Sequence, residues 1–220
     1  MISLRHTGSL SVAGNTTPLI GVLALQGDVR EHRQMLEELG CDVREVRKPA
    51  HLVGLNGLVL PGGESSVIDK LLRIFEMSTE LRDAIASGLP VLGTCAGLIM
   101  LASELEDGIA GQETVGGLDV TVRRNAFGSQ VDSYETDVTI SGVQGPPVRV
   151  AFIRAPVVTR VGPGVEAIAT LPDGDVVGVR QGAVMGVAFH PEITGDDRLH
   201  RIFVESVRSA GFRLASLQTA

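Results

Sequence analysis

The chain has 220 residues, 44% apolar and 20% charged, which is typical of a globular protein with one large domain. A net charge of −7, one Tyr and no Trp exclude the basic, aromatic-rich surface of most nucleic-acid-binding proteins. No apolar run reaches the roughly 18 residues of a membrane-spanning helix, and two cysteines are too few for a disulfide framework. We therefore expect a cytoplasmic protein with neither nucleic-acid nor membrane partners.

The two ends of the chain differ from its middle. Residues 1–18 are rich in Ser, Thr and Gly and contain no apolar stretch long enough for a signal peptide, so we predict a disordered extension. The pattern becomes regular at Leu19, and we predict one domain over 19–212 followed by a flexible tail over 213–220.

The first half of the domain alternates between short apolar runs and helical patterns. Strands are predicted at 20–25, 42–46, 57–60 and 90–92. Asp28 stands where a helix N-cap belongs, with Glu31 three residues later, and helices are predicted after Asp28, over 66–76 and 79–87, and from Cys95 onward. Such alternation indicates right-handed crossovers and a parallel sheet.

The second half is strand-rich. Strands are predicted at 119–122, 148–153, 166–170, 176–180 and 185–189, and a closing helix at 197–208. The predicted fold is therefore α/β: a doubly wound, mostly parallel sheet with helices on both faces and an added antiparallel portion.

The clearest chemical motif is Gly93-Thr94-Cys95-Ala96-Gly97, which lies between an apolar strand and a helical pattern. This is the layout of a nucleophile elbow, with sulfur as the nucleophile. Cys95 at a helix N-terminus would favour its thiolate, the reactive form of a cysteine. A buried structural cysteine in an ordinary turn is the alternative, since free cysteines are among the most buried residues.

A nucleophile needs a base, and His190 is the best candidate. It directly follows the predicted strand 185–189, at the strand end where α/β proteins build their sites. Pro191 favours an extended His190, and Glu192 then faces the same side and could orient the imidazole. A chance loop is an equal alternative for this tripeptide alone. Surface or tail positions suffice for the other histidines, which are His6, His32, His51 and His200.

The third motif is the loop from Pro61 to Ser65, which follows the strand at 57–60. Gly62 and Gly63 allow backbone N–H groups to point into a cleft, as in an oxyanion hole. It lacks the Gly-Lys-Ser/Thr of a phosphate loop, and a plain turn is the alternative.

These motifs in this order resemble the triad glutamine amidotransferases. Further segments resemble one branch of them, the glutaminase subunits of pyridoxal 5′-phosphate synthase; these are Leu25-Gln26-Gly27-Asp28 with Glu31-His32, Arg124 to Gly128, Gln130 to Ser133 and Phe152 to Pro156. The similar segments span about residues 19–209. Ser129 departs from the family pattern, in which arginine is expected.

The resemblance implies roles for particular residues. Cys95 would be the nucleophile, His190 the acid and base, and Glu192 its orienter. Glutamine would be bound by Gly63, Glu64, Ser65, Arg124, Ile153 and Arg154. We expect Gly63 and Ala96 to supply the oxyanion-hole N–H groups, and no cofactor or metal is implied.

The resemblance also implies a partner. Ammonia released from L-glutamine would pass to a separate (β/α)8-barrel synthase subunit, in a large complex with many copies of each subunit. Docking would activate the glutaminase by completing the oxyanion hole, with Gln26 at the interface. Two alternatives stay open: a stand-alone cysteine hydrolase of γ-glutamyl amides, and a non-catalytic interaction domain with a degenerate site.

Overall fold

The computed structural model describes residues 17–124 and 133–211. Its six α-helices are α1 Val29–Glu38, α2 Ser65–Ile74, α3 Ser78–Ala86, α4 Ala96–Leu101, α5 Pro191–Thr194 and α6 Arg198–Ala210. Its twelve strands are β1 Leu19–Leu23, β2 Asp42–Val46, β3 Gly57–Leu60, β4 Val91–Thr94, β5 Ala102–Glu106, β6 Leu118–Arg123, β7 Tyr134–Val138, β8 Val148–Phe152, β9 Val157–Val161, β10 Glu166–Thr170, β11 Val176–Gln181 and β12 Val184–Val187. The predicted extension and tail fall almost wholly outside the described residues and stay predictions, as does the segment with Ser129.

A ten-stranded sheet forms the centre of the molecule. Its order is β2-β1-β3-β4-β12-β11-β9-β6-β5, with β10 paired to β11. The five strands from β2 to β12 run parallel, whereas β11 pairs antiparallel with β12, β10 and β9. β7 and β8 form a separate antiparallel pair. The predicted fold class is confirmed.

The chain order explains why helices cover both faces. From β1 the chain moves through α1 to β2 on one side, and from β3 it moves through α2 and α3 to β4 on the other. Since both crossovers are right-handed, opposite directions of travel place their helices on opposite faces. β3 and β4 are buried along their whole length because they are covered on both sides, which is why they are nearly continuous apolar runs.

Three strands, the short helix α5 and one helix end were not predicted correctly. His190 is extended as expected, but Glu192 lies in the first turn of α5 and not in an extended segment. The helical pattern after Cys95 was expected to include Ala102, but α4 ends at Leu101 and β5 begins directly. In β5 only Ala102 is buried, and most of β7 and the second half of β9 are exposed. Such polar strands have neither an apolar run nor a clean alternation, because little of their surface meets the core.

The register of three neighbouring strands positions the functional residues. Gly93 of β4 pairs with Leu60 of β3, and Thr94 pairs with Val187 of β12. The segments that follow these parallel strands therefore leave the sheet at the same edge, and they carry the glycine loop, Cys95 and His190. In the described parts of the chain the longest helix, α6, has 13 residues, and none of the helices could cross a membrane.

Candidate active site

Cys95 occupies a sharp turn between β4 and α4. Its backbone has φ 49° and ψ −103°, a conformation that costs a non-glycine residue roughly 1–3 kcal/mol. The side chain is 6% exposed, and its Sγ lies 3.9 Å from the carbonyl oxygen of Ile153. Strain of this kind persists where the surrounding fold holds it, and here it aims the thiol out of the sheet edge.

The two glycines of the motif are required for close packing. A Cβ on Gly97 would lie 2.0 Å from the carbonyl oxygen of Leu60, and a Cβ on Gly93 would lie 2.6 Å from the carbonyl carbon of Gly97. Neither glycine has a positive φ, in contrast to Cys95. These glycines therefore let α4 lie directly on β3 and β4.

His190 is held in place at both its backbone and its ring. Its N–H donates to the carbonyl oxygen of Ala151 at 2.8 Å, which ties the end of β12 to β8. The ring is 4% exposed, and its Nδ1 lies 2.8 Å from Oε1 of Glu192. Cys95 is near enough to the imidazole to raise the pKa of His190. The structure thus brings together the three residues predicted as a triad.

Electrostatics in this cluster favour the charged forms of both the base and its carboxylate. Burial by itself would lower the pKa of His190, but hydrogen bonds with Asp28, Cys95 and Glu192 outweigh it and raise that pKa to about 12. Burial would raise the pKa of Glu192, but His32 and His190 hold it well below 4.5. The arrangement favours an imidazolium at His190 next to an ionised carboxylate at Glu192.

Asp28 is a member of this cluster that was not predicted. It was expected to cap α1 with Glu31, but it makes no side-chain cap hydrogen bond, and Glu31 binds Arg30 at 2.8 Å instead. Its Oδ2 lies 3.3 Å from Nδ1 of His190, so two carboxylates face that nitrogen. The only sequence signal was an acidic residue just beyond a buried strand.

The six residues predicted to bind substrate line one cleft with Cys95. They are Gly63, Glu64, Ser65, Arg124, Ile153 and Arg154, and the cleft also contains Ile99. Arg124 is mostly buried, with Nη2 2.6 Å from Oε1 of Glu64 and Nη1 3.0 Å from Oε1 of Gln112. Gln112, which was not predicted, also donates to Oγ of Ser65 at 3.0 Å. The cleft therefore presents charges of both signs within one hydrogen-bonded network.

The two predicted oxyanion donors belong to segments at the cleft, since Gly63 lines it with Cys95 and Ala96 directly follows Cys95. The N–H of Ala96 belongs to the first turn of α4, where a helix has no internal acceptors for its amides. Gly63, with φ 151°, lies in the loop after β3. Oε1 of Gln26 accepts the N–H of Glu64 at 2.7 Å, so Gln26 supports this loop from the β1–α1 connection.

Two histidines expected at the surface are buried instead. His32 in α1 and His200 in α6 are both 0% exposed, with 2.8 Å between Nδ1 of His32 and Nε2 of His200. Both had a signal in the sequence. His32 shares the helical spacing of Met35 and Leu36, and His200 shares that of Phe203 and Val204, so each histidine belongs to an apolar face.

Burial of His200 should make the protein sensitive to acid. Burial, with a smaller contribution from His32, lowers the pKa of His200 to about 3. Below pH 6.5 the imidazole of His200 binds a proton in the unfolded chain but not in the folded chain. The free energy of unfolding should therefore fall by up to about 1.4 kcal/mol for each unit that the pH is lowered from 6.5 towards 3. His200→Gln keeps a side-chain N–H donor but does not titrate. Urea unfolding at pH 4.5 and 7 should show a smaller difference for His200→Gln, and equal differences would contradict this prediction.

Comparison with known proteins identifies the class and then the family. A structure titled "Crystal structure of glutamine amidotransferase" is 49% identical with a TM-score of 0.79, covering 86% of this chain and 98% of that one. The fold and the site thus define a glutamine amidotransferase. A model described as the SNO glutamine amidotransferase family matches residues 22–209, and the chain belongs to this family.

The curated relatives are similar over nearly their whole length. A protein of Clavibacter michiganensis is 57% identical over 93% of this chain and 98% of its own length, and one of Cutibacterium acnes is 59% identical over 86% and 97%. Each is named "Pyridoxal 5'-phosphate synthase subunit PdxT". A chain of PurLQS from Thermotoga maritima, 17% identical with a TM-score of 0.65 over 90% of this chain and 100% of its own, shows the fold alone.

Proposed function

We propose that this chain hydrolyses L-glutamine to L-glutamate and ammonia through Cys95, His190 and Glu192, and supplies the ammonia to pyridoxal 5′-phosphate synthesis. The observation that carries this proposal is the convergence of a thiol, an imidazole and a carboxylate at the edge of a cleft with Glu64 and Arg124. A free amino acid carries one ammonium and one carboxylate, so a site with both signs of charge suits it.

The mechanism follows from the positions of these groups. The Cys95 thiolate attacks the side-chain amide carbon, and N–H groups of Gly63 and Ala96 stabilise the oxyanion, each by roughly 3 kcal/mol. His190 donates its proton to the amide nitrogen and the C–N bond breaks. Ammonia departs, and the acyl group remains on Cys95 as a thioester. Water then attacks the thioester with His190 as base, the C–S bond breaks, and glutamate and the thiolate are released.

Glu192 has a supporting role in this scheme. Its Oε1 accepts the Nδ1 hydrogen of His190, which leaves Nε2 as the nitrogen that exchanges a proton with sulfur and substrate. Asp28 is a second, more exposed carboxylate at Nδ1, with 34% of its side chain exposed against 0% for Glu192. We propose that it stabilises the imidazolium but orients it less strictly, because water competes for an exposed carboxylate.

A synthase subunit is the proposed recipient of the ammonia. The relatives named as subunits of pyridoxal 5′-phosphate synthase support this, since they match over nearly their whole length. We propose a (β/α)8-barrel partner in a complex of many copies, acting in the cytoplasm, and the free thiols of Cys41 and Cys95 suit a reducing compartment. A partner that contacts Gln26 would act on the Gly63–Glu64 loop through the hydrogen bond from Glu64 to Gln26.

A glutaminase assay on the purified chain, with and without a candidate synthase subunit, tests this function. We expect weak glutamine hydrolysis by the chain alone and a clear rise on adding the synthase, because docking would order the oxyanion loop. Full activity without any partner would favour a stand-alone hydrolase of γ-glutamyl amides. Failure of an electrophilic glutamine analogue to label Cys95 would favour a non-catalytic domain.

A further inference from the structure

A buried hydrogen-bonded chain lies behind the carboxylate of Glu192. His32 reaches it from α1, with Nε2 3.5 Å from Oε1 of Glu192 and 3.1 Å from Oγ1 of Thr94. His200 reaches His32 from α6, at 2.8 Å between Nε2 and Nδ1. His32, His200 and Thr94 are all 0% exposed. His32 therefore contacts both the carboxylate that orients His190 and the residue directly before Cys95.

The unpaired atoms of this cluster indicate which way its hydrogen bonds run. Among the described residues, Nδ1 of His200 is a buried polar atom without a hydrogen-bond partner. The carboxylate of Glu192 faces Nε2 of His32, which favours a hydrogen on that nitrogen and leaves Nδ1 of His32 as an acceptor. His200 then carries its hydrogen on Nε2 and donates to Nδ1 of His32, and His32 carries its hydrogen on Nε2.

This direction suits the carboxylate. With its hydrogen on Nε2, His32 directs this N–H towards Oγ1 of Thr94 and Oε1 of Glu192. The opposite tautomer would direct a nitrogen lone pair towards the ionised carboxylate of Glu192. Oε1 of Glu192 then accepts the Nδ1 hydrogen of His190, and the Nε2–H of His32 faces the same oxygen at 3.5 Å. Its other oxygen, Oε2, is buried without a partner, so both of its positioning contacts are made through Oε1.

We propose that His32 is a positioning residue of the glutaminase reaction, which acts through Glu192, and that His200 holds it in the donating tautomer. The inference rests on the proposed function, since it assigns His32 a task in the same triad. Packing between α1 and α6 does not by itself require two histidines, because apolar residues of similar size would stabilise that contact without burying polar atoms.

Two substitutions of His32 separate a positioning role from a structural one. Glutamine places its Nε2 at the same number of bonds from the backbone as Nε2 of histidine, so His32→Gln keeps the donor, whereas His32→Leu removes it. Leu36→Ala is the matched control, since Leu36 lies one turn further along the same buried face of α1 and is 0% exposed. All four proteins, including the unsubstituted chain, are assayed as full chains with the synthase subunit.

We expect His32→Leu to lower kcat by roughly ten- to a hundredfold with KM nearly unchanged, because a misplaced carboxylate disturbs the chemical step more than binding. The acid limb of its kcat profile should also move to higher pH. The groups that face Glu192 are His190 after β12 and His32 from α1, with Asp28 and His200 behind them. Removing one N–H while burial persists raises the pKa of Glu192, so activity is lost earlier as the pH falls.

His32→Gln should restore most of kcat and the acid limb, and Leu36→Ala should lower the melting temperature without moving that limb. A wild-type kcat profile in His32→Leu would overturn the proposal, and so would an equal shift in Leu36→Ala. If the unsubstituted chain hydrolyses no glutamine even with the synthase, the proposed function fails separately. In that case the rate of Cys95 alkylation by iodoacetamide tests the positioning role of His32. A slower reaction in His32→Leu, with the rate restored in His32→Gln, supports this role, and equal rates in all the proteins refute it.

Discussion

Replacing Cys95 with alanine is expected to lower glutamine hydrolysis by more than about 10⁴-fold, because no other group in the cleft can form the thioester. The fold should be retained, since the interactions of the thiol with the described residues are weak or functional: Sγ lies 3.9 Å from the carbonyl oxygen of Ile153, and it interacts with His190. Steady-state assay with the synthase subunit measures the first effect, and circular dichroism with thermal unfolding measures the second. Substantial turnover by Cys95→Ala would refute the nucleophile assignment.

Cys41 offers the control for this experiment. It is also a buried free cysteine, at the start of the β2 segment, and burial raises the pKa of its thiol. Its neutral thiol should react slowly with electrophiles, so Cys41→Ala should keep both activity and the labelling of Cys95. Loss of labelling in Cys41→Ala but not in Cys95→Ala would show that Cys41, and not Cys95, is the reactive thiol.

A second consequence concerns the backbone at Cys95. Alanine keeps the strain of φ 49°, whereas glycine relieves it. The free energy of unfolding of Cys95→Gly should therefore be about 1 kcal/mol higher than that of Cys95→Ala. Denaturant titration of the two inactive variants measures this difference. A lower stability of the glycine variant would mean that the turn is not strained in solution.

Gly97→Ala is expected to be strongly damaging for a substitution that adds a single methyl group. In an isolated helix this change would stabilise by roughly 1 kcal/mol. Here the added Cβ would lie 2.0 Å from the carbonyl oxygen of Leu60 and 2.9 Å from its carbonyl carbon, and backbone cannot rotate away as a side chain can. The helix α4 must move off β3, at a cost of roughly 3 kcal/mol or more. Because α4 begins beside Cys95, activity should fall as well.

The comparison substitution is Gly40→Ala. Gly40 has φ 75° and nothing within 4 Å of an added Cβ, so its replacement carries the backbone cost alone, roughly 1–2 kcal/mol. Denaturant unfolding should therefore rank Gly97→Ala well below Gly40→Ala, and only Gly97→Ala should lose glutaminase activity. A Gly97→Ala variant as stable as the parent would show that α4 is free to shift away from the sheet.

Much of the first half of the fold could be predicted from residue patterns. β3 was predicted with its observed bounds and β4 within a few residues, because strands buried on both faces are apolar throughout. β2, which is only partly buried, was also predicted with its observed bounds, and α2 within a few residues. The convergence of the glycine loop, Cys95 and His190 could also be predicted, since each follows an apolar strand and parallel strands end at a common edge. Their catalytic roles stay predictions.

The tertiary structure decided the rest. Polar strands such as β7 gain their hydrogen bonds from a partner distant in sequence, and no local pattern reports that partner. His32 and His200 are separated by 168 positions, so their contact exists only once α6 packs against α1. Asp28 likewise reads as a helix cap until β12 places His190 within 3.3 Å of it. Local pattern determines which residues form an element, but which polar atoms face one another depends on how the elements pack.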